Sequence, residues 1–166
     1  MRVVLTDNTE RVLLIRDTDL GLDPVAHWWI TPGGGVDAGE SDLDAAVREL
    51  GEETGLRVAA SDLDGPLLVR AVVHAYSDKV VDQTEVFFHI RVPPFEVDTS
   101  GHTEEERLTV ADIRWWARDE LQETEDDVWP RDLEQVWSLV DRPELWRDGP
   151  VMAQPVEEST LAAEAS

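Results

Sequence analysis

Three glutamates lie close together in one short segment, at positions 49, 52 and 53 of the sequence. With about 100° of rotation per residue, Glu49, Glu52 and Glu53 share one face of an α-helix. Like charges at this spacing destabilise a helix unless something neutralises them. A hard divalent cation, Mg²⁺ or Mn²⁺, can do so because it prefers oxygen ligands. The spacing therefore predicts a divalent cation site, in which Arg48 can pair with Glu52 and orient it.

A triple glycine, residues 33–35, precedes these glutamates. Glycine allows the backbone to turn sharply and to approach a ligand closely, and a backbone carbonyl in this turn could itself bind the metal. Taken alone, an acidic run on a helix is more often a solvated surface. The cation site is favoured here by the whole arrangement, because the glycines, Glu40, the Arg48-Glu49 pair and a marked helix end follow one another.

The segment that carries the glutamates has the signals of a helix over residues 41–54. Ser41 is a good N-cap, and Asp44 three residues later completes a weak capping box. Gly55 suits the position after the last helical residue. The other side is apolar, so the helix can pack on a core while it holds its carboxylates in a cleft. The apolar positions are Leu43, Ala46, Val47 and Leu50.

Short β-rich runs supply the sheet on which this helix can pack. Residues 2–6 and 11–16 flank a turn and predict a hairpin, and one further short strand leads into the triple glycine. Residues 69–76 and 84–92 alternate in character and predict an antiparallel pair. The later predicted elements are an acidic loop over residues 93–109, a last strand over 112–117, and a final helix opened by Pro130 with Leu133, Val136, Trp137 and Val140 as its apolar stripe.

The chain length suits one domain, which we expect over residues 1–149. From Pro150 onward the sequence is rich in Ala, Glu and Ser, so residues 150–166 are predicted to form a flexible C-terminal tail.

The composition is strongly acidic. Among 166 residues, 14 lysines and arginines face 37 aspartates and glutamates, which gives a formal net charge of −23. Such a surface repels duplex nucleic acid and anionic membranes, whose binding needs basic patches. No apolar run approaches the ~20 residues of a membrane span, and the N-terminus lacks a secretory pattern, so a cytoplasmic protein is expected. The absence of cysteine excludes cysteine nucleophiles and cysteine-based metal sites.

Residues 34–56 match every fixed position of the Nudix box. The segment from Trp29 to Gly34 and the run Arg114-Trp115-Trp116 also resemble this family, and the resemblance covers roughly residues 1–141. The matching box residues are Gly34, Glu40, Arg48, Glu49, Leu50, Glu52, Glu53, Gly55 and Leu56.

The resemblance to the Nudix hydrolases implies an α/β fold, an α/β/α sandwich around a mixed β-sheet. It also implies metal-dependent hydrolysis of a nucleoside diphosphate linked to another moiety, by attack of water on phosphorus. By this analogy Glu49, Glu52, Glu53 and a carbonyl of Gly33 or Gly34 bind the metal, and Arg48 orients the carboxylates. In this family the general base is a glutamate of the box or of a later loop; the analogy favours Glu49 or Glu53 and leaves Glu104, Glu105 and Glu106 as candidates from the acidic loop.

Several further side chains are candidates for substrate binding. Arg70 could bind phosphate through two hydrogen bonds, although surface ion pairing is an equal alternative. Glu85 could add a metal ligand if the polar face of its strand looks into the pocket. Aromatic rings could stack on a base, although core positions are the commoner role. The substrate-binding candidates are Gly33, Gly35, Arg70, Glu85 and Phe87, and the other aromatic candidates are Trp28, Trp29 and Tyr76.

Two alternative functions belong to the same fold. One is a nucleotide or nucleotide-sugar sensor without catalysis, which eroded carboxylates would favour, whereas here all the box glutamates are present. The other is an isoprenoid diphosphate isomerase, which typically needs a cysteine that this chain lacks. The identity of the nucleotide substrate stays open, and a homodimer is conceivable because dimers are common among Nudix proteins.

Overall fold

A nine-stranded mixed β-sheet runs through the computed structural model of the protein, which describes residues 1–161. The strands are β1 (Arg2–Asp7), β2 (Val12–Asp19), β3 (Ala26–Ile30), β4 (Asp64–Ala75), β5 (Val80–Val92), β6 (Asp112–Trp116), β7 (Asp127–Trp129), β8 (Val151–Met152) and β9 (Val156–Glu157). The helices are α1 (Asp42–Thr54), α2 (Glu106–Thr109), α3 (Arg118–Glu123) and α4 (Leu133–Ser138). Neighbouring strands follow the order β7-β3-β2-β1-β5-β4-β8, with β6 added to β2 and β9 added to β4.

The side chains of the first two strands alternate between the two faces of the sheet. Val3, Leu5 and Leu13 belong to a core cluster that includes buried residues of α1. Val4 and Leu14 belong to a second cluster that includes buried residues of α4. Each face of the sheet thus buries its own apolar cluster under a helix, which confirms the predicted α/β fold with a mixed β-sheet.

Helix α1 forms where the capping signals placed it. The Ser41 hydroxyl accepts a hydrogen bond from the Asp44 N–H at 3.1 Å. At the other end Gly55 adopts a left-handed conformation, with φ of 75°, and its N–H donates to the Gly51 carbonyl. Leu50 and Ala46 are buried, as the apolar stripe predicted. This helix has 13 residues, and within residues 1–161 no helix combines the length and the apolar character needed to cross a membrane.

The two predicted antiparallel pairs are also present. Strands β1 and β2 form the N-terminal hairpin, in which the Asp7 carboxylate accepts hydrogen bonds from the N–H groups of Thr9 and Arg11. Strands β4 and β5 pair antiparallel, as in the register Val69 opposite Val86, and both are longer than their alternation indicated. Strand β5 also pairs in parallel with β1, which makes the sheet mixed.

The region after β5 contains more regular structure than predicted. The acidic loop ends in the single turn of α2, and β6 is followed by a further strand, β7, parallel to β3. The final helix begins at Leu133 with Asp132 as its N-cap, so Pro130 lies outside it. Leu133, Val136 and Trp137 are buried, as the predicted stripe required.

The structure differs most from the prediction at the C-terminus, where a flexible tail was expected. Residues 150–161, which we call the C-terminal arm, lie along β4, with β8 opposite Leu68 and β9 opposite Val72, both in parallel. The composition of this arm suggested disorder, but the open edge of β4 pairs its backbone and a buried arginine pairs Glu158. The remaining predicted tail residues, 162–166, lie outside the described part of the chain.

Candidate active site

Three carboxylates from two distant segments meet at one end of helix α1. Glu49 and Glu53 come from consecutive turns of α1, and Glu106 is the first residue of α2. One carboxylate oxygen from each lies within 4.8 Å of the others. Glu49 is buried, and Glu53 and Glu106 are partly buried. Three oxygen donors of this kind form a donor set suited to a hard divalent cation.

Both helix glutamates are shifted toward their neutral form. Burial raises the pKa of Glu49, although Arg48 donates to its carboxylate and opposes this shift. Burial also raises the pKa of Glu53 well above its usual value, although the N–H of Gly33 donates to its Oε2 at 2.8 Å. A cation among these oxygens would favour their ionised form, so the donor set fits a divalent metal.

Glu52 lies outside this group of three. Its side chain is 46% exposed, and its Oε2 accepts from Arg48 Nη1 at 3.1 Å. On an ideal helix Glu53 lies about 40° from Glu49, whereas Glu52 lies about 60° away on the other side. The predicted pairing of Arg48 with Glu52 is therefore present, whereas Glu106 takes the position in the cluster that the spacing gave to Glu52.

Arg48 links α1 to the turn that precedes it. Its Nε and Nη2 donate to the two carboxylate oxygens of Glu40, each at 2.9 Å, and Nη1 donates to Glu49 at 2.9 Å. Nη2 also donates to the Gly35 carbonyl at 3.0 Å. These hydrogen bonds from Arg48 lower the pKa of Glu40 to about 2. Arg48 is therefore placed to fix the orientation of Glu49 relative to the glycine turn.

Two glycines of the turn lie so close to neighbouring atoms that side chains would not fit there. Gly33 has φ of 146°, and a Cβ atom on it would lie 2.9 Å from Arg2 Cα. A Cβ on Gly34 would lie 2.7 Å from the carboxyl carbon of Glu49. The Gly34 carbonyl, a predicted metal ligand, accepts from the amino group of Met1 at 2.8 Å. The close packing explains why positions 33 and 34 are glycine.

A cavity of about 340 Å³ lies next to the segment that carries Glu106. Glu105 and Thr109, on either side of Glu106 in the chain, line it together with Trp28 and Tyr76. The ring centroids of Trp28 and Tyr76 are 5.8 Å apart, and those of Trp28 and Trp129 are 4.7 Å apart. The cavity thus has a packed aromatic wall. Its other lining residues are Asp17, Thr18, Asp19, Leu20, Gly21, Ser77, Asp78 and Lys79.

Three of the predicted substrate-binding residues lie in the interior. Phe87 is fully buried in the core cluster that includes α4, together with Trp29. The Arg70 side chain is 1% exposed and binds Glu85 and Glu158, so its guanidinium is taken up by carboxylates of the protein itself. Glu85 is equally buried and does not belong to the carboxylate cluster. Phe87 packs in the cluster that includes α4, and Glu158 of the C-terminal arm pairs with Arg70, so these side chains do not meet solvent.

The sequence alone did not show which acidic-loop glutamate joins the carboxylate cluster, nor which residue pairs with Arg70. Among the three acidic-loop candidates, Glu106 joins the cluster, whereas Glu104 and Glu105 are exposed. A local signal for Glu106 exists: Thr103 and Glu106 each accept from the N–H of the other, the pattern of a capping box. For Glu158 no local signal exists, because its partner Arg70 lies 88 residues earlier.

The fold and the site define a class of protein: a mixed-sheet α/β protein with a carboxylate cluster beside a glycine turn. A family model described as the NUDIX domain matches residues 1–136. The chain belongs to this family. The family assignment confirms the resemblance carried by residues 34–56.

Individual relatives are similar over shorter stretches. An RNA pyrophosphohydrolase from Brucella anthropi is 37% identical over 99 residues, which cover 51% of this chain and 55% of that protein. A putative 8-oxo-dGTP diphosphatase from Bacillus subtilis is 42% identical over 59 residues, 36% of each chain. The chain thus spans about a third to just over half of the length of these relatives. Among solved structures, the MutT protein from Methanosarcina mazei Go1 shares the fold, with a TM-score of 0.55, 19% identity, and coverage of 86% of this chain and 91% of that one.

Proposed function

We propose that this protein is a Mg²⁺-dependent pyrophosphohydrolase that cleaves a derivative of a nucleoside di- or triphosphate. The observation that carries the proposal is the convergence of Glu49, Glu53 and Glu106, with oxygens within 4.8 Å of one another. The names of the curated relatives, an RNA pyrophosphohydrolase and a putative 8-oxo-dGTP diphosphatase, support a phosphoanhydride in a nucleotide as the bond that is cleaved.

Glu49, Glu53 and Glu106 are the residues that would hold Mg²⁺, and Mn²⁺ would suit the same oxygens. A carbonyl of the glycine turn, at Gly33 or Gly34, and the nearby Glu52 remain predicted additional ligands. When bound, the cation offsets negative charge on the phosphate oxygens and lowers the pKa of water. It also explains how a chain with a net charge of −23 binds an anionic substrate.

The side chains of this protein then have two tasks. Arg48 fixes Glu49 against the glycine turn, and the N–H of Gly33 fixes Glu53. We propose that Glu49 or Glu53 takes the proton from a water molecule as that water attacks phosphorus. A P–O bond of the phosphoanhydride breaks, and the released phosphate group leaves with the electron pair of that bond.

The nucleoside portion of the substrate has a candidate site in the cavity beside Glu106. At about 340 Å³ the cavity is of the size of small-molecule sites, and the half-buried Tyr76, which packs on the buried Trp28, offers aromatic surface to a base. The other aromatic candidates, Trp29 and Phe87, are buried and do not belong to the lining of this cavity. The identity of the nucleotide stays open, and the cytoplasmic location and the homodimer stay predictions of the sequence.

The direct test measures phosphate and pyrophosphate release from a panel of nucleotide derivatives, with Mg²⁺ and with a chelator. We expect Mg²⁺-dependent turnover of at least one member, and a loss of at least tenfold in Glu53→Gln. Equal rates in Glu53→Gln and the parent would remove Glu53 from the chemistry. Tight nucleotide binding without turnover of any member would support the sensor alternative.

A further inference from the structure

A chain of buried ion pairs starts in the C-terminal arm and runs into the sheet. Arg70 donates from Nη1 and Nη2 to the two carboxylate oxygens of Glu158, at 2.9 and 2.7 Å. The same guanidinium donates from Nε to Glu85 Oε2 at 2.9 Å. The three side chains are at most 2% exposed. Charges buried to this degree are held in a fixed geometry by their partners, because any loose arrangement leaves a charge without compensation.

The chain continues from Glu85 to the glycine turn. Arg2 Nε donates to the other carboxylate oxygen of Glu85, Oε1, at 3.0 Å. Arg2 Nη1 donates to the carbonyls of Thr31 and Gly33, at 3.3 and 3.4 Å. The N–H of Gly33 in turn donates to Glu53. An unbroken series of hydrogen bonds thus connects the carboxylate of the C-terminal arm with a carboxylate of the cluster.

The arm itself is firmly placed at this point. The N–H of Glu158 donates to the Val73 carbonyl at 2.9 Å, and the Glu158 carbonyl binds His74 Nδ1 at 2.8 Å. Its Oε1 also accepts from the N–H of Arg131, which belongs to the segment before α4. The neighbouring Glu157 is exposed and points away from this network. The arm therefore delivers one carboxylate into the interior and leaves the adjacent one in solvent.

We propose that Glu158 is a positioning residue of the active site, which acts through Arg70, Glu85 and Arg2 to hold the glycine turn and Glu53 in the geometry that binds the divalent cation. The inference rests on the proposed function for its kinetic readout only. Its primary readout, cation binding, does not require turnover. Glu158 does not line the cavity, so its effect falls on the cation site and the chemical step rather than on nucleoside binding.

The test compares Mn²⁺ binding by the parent, Glu158→Gln and Glu157→Gln, followed by the electron paramagnetic resonance signal of free Mn²⁺. We expect the Mn²⁺ dissociation constant to rise at least fivefold in Glu158→Gln and to stay within twofold in Glu157→Gln. Both substitutions remove one negative charge at adjacent positions, so a long-range charge effect would move them together. Near-UV circular dichroism confirms that each variant is folded at the temperature of the measurement.

A second variant, Arg2→Lys, tests the connection without changing the net charge. A lysine ammonium lacks the planar fork with which Arg2 reaches Glu85 and the two carbonyls together. We expect at least a threefold rise in the Mn²⁺ dissociation constant. This variant leaves the buried Arg70 pairs in place, so it tests the last link between Glu158 and the glycine turn even where Glu158→Gln fails to fold. An unchanged Mn²⁺ affinity in Arg2→Lys would overturn the proposal, as would equal effects of Glu158→Gln and Glu157→Gln.

Kinetics separate this inference from the proposed function. Where the parent turns over a nucleotide, Glu158→Gln is expected to lower kcat at least threefold and to leave KM within twofold. A change confined to KM would contradict a role in positioning Glu53. A parent without turnover on any nucleotide would count against the proposed function, and the Mn²⁺ comparison would still decide the role of Glu158.

Discussion

The backbone N–H of Gly33 donates to Oε2 of Glu53 across 2.8 Å, and this one hydrogen bond joins the glycine turn to the last turn of α1. The two residues are 20 positions apart in the chain. Because the turn and the helix are connected here, a displacement of either one moves a carboxylate of the cluster.

Glu106 is predicted to be the residue of the acidic loop that binds the divalent cation. In Glu106→Gln one of the three carboxylate charges of the cluster is lost, and we expect the Mg²⁺ concentration for half-maximal turnover to rise at least tenfold. The matched control is Glu104→Gln, two residues earlier, exposed and outside the cavity lining, for which we expect less than a twofold change. Similar effects of the two substitutions would show that the loop acts only through its overall charge.

Because Gly34 lies so close to Glu49, a larger residue at position 34 is expected to destabilise the protein, whereas one at position 35 is not. A methyl group in Gly34→Ala would meet the Glu49 carboxylate, whereas a methyl group in Gly35→Ala meets no atom within 4 Å among the described residues. We expect Gly34→Ala to lower the free energy of unfolding by about 1–3 kcal/mol and to reduce activity, because overpacked atoms must move apart. Urea denaturation of the two variants checks this, and equal stability would contradict the close approach.

The pair of Glu40 with Arg48 predicts a pH-dependent contribution to stability. The pKa of Glu40 is about 2 in the folded protein, below the ~4.3 of an unfolded glutamate. A lowered folded pKa means that the ionised form stabilises the fold above about pH 4.3, and that this contribution is lost as the pH falls toward 2. We therefore expect Glu40→Gln to melt below the parent at pH 7.

Thermal unfolding of Glu40→Gln and the parent between pH 7 and pH 3 measures this effect. The difference in Tm is expected to shrink steadily as the pH falls below about 4.3. Glu104→Gln, an exposed position of the acidic loop, serves as the control and is expected to match the parent throughout. A difference in Tm that is independent of pH would show that Glu40 contributes by packing and not by its charge.

Tyr76 gives a spectroscopic test of the cavity wall. It is the only tyrosine in the chain, so tyrosinate absorbance near 295 nm reports this residue alone. Burial raises the pKa of Tyr76 to about 12, above the ~10 of an exposed tyrosine. We expect a titration midpoint near this raised value in the folded protein.

Because the pKa of Tyr76 is raised in the folded protein, the neutral form stabilises the fold below pH ~10, and this contribution is lost as the pH rises toward 12. A midpoint near 10 in protein that is still folded would place Tyr76 in open solvent.

Features with local causes could be predicted from the sequence. The ends of α1 follow from the side chain of Ser41 and the left-handed conformation of Gly55, both of which act within one helical turn. The cluster residues Glu49 and Glu53 follow from helical rotation alone. Even the distinction of Glu106 within its triplet has a local cause, in its reciprocal hydrogen bonds with Thr103.

Features that depend on distant pairing could not be predicted in this way. From the sequence, Arg70 could equally be a surface arginine or a phosphate-binding arginine. It forms an interior ion pair only because the chain brings Glu158, 88 residues later, next to it. The exposure of Glu52 likewise depends on which side of α1 meets the sheet and the acidic loop. In both cases the residue type showed that a charge is present. Which groups surround that charge depends on how whole segments pack together.

The parallel pairing of β8 and β9 with β4 has a consequence for the behaviour of the protein in concentrated solution. An uncovered outer strand offers its backbone groups to other chains and can template intermolecular association. Between Leu68 and Val73 the arm shields β4 from such association. Proteolytic nicking near Pro150 is therefore expected to expose this edge of β4 and to promote aggregation, which light scattering of clipped and intact protein would reveal.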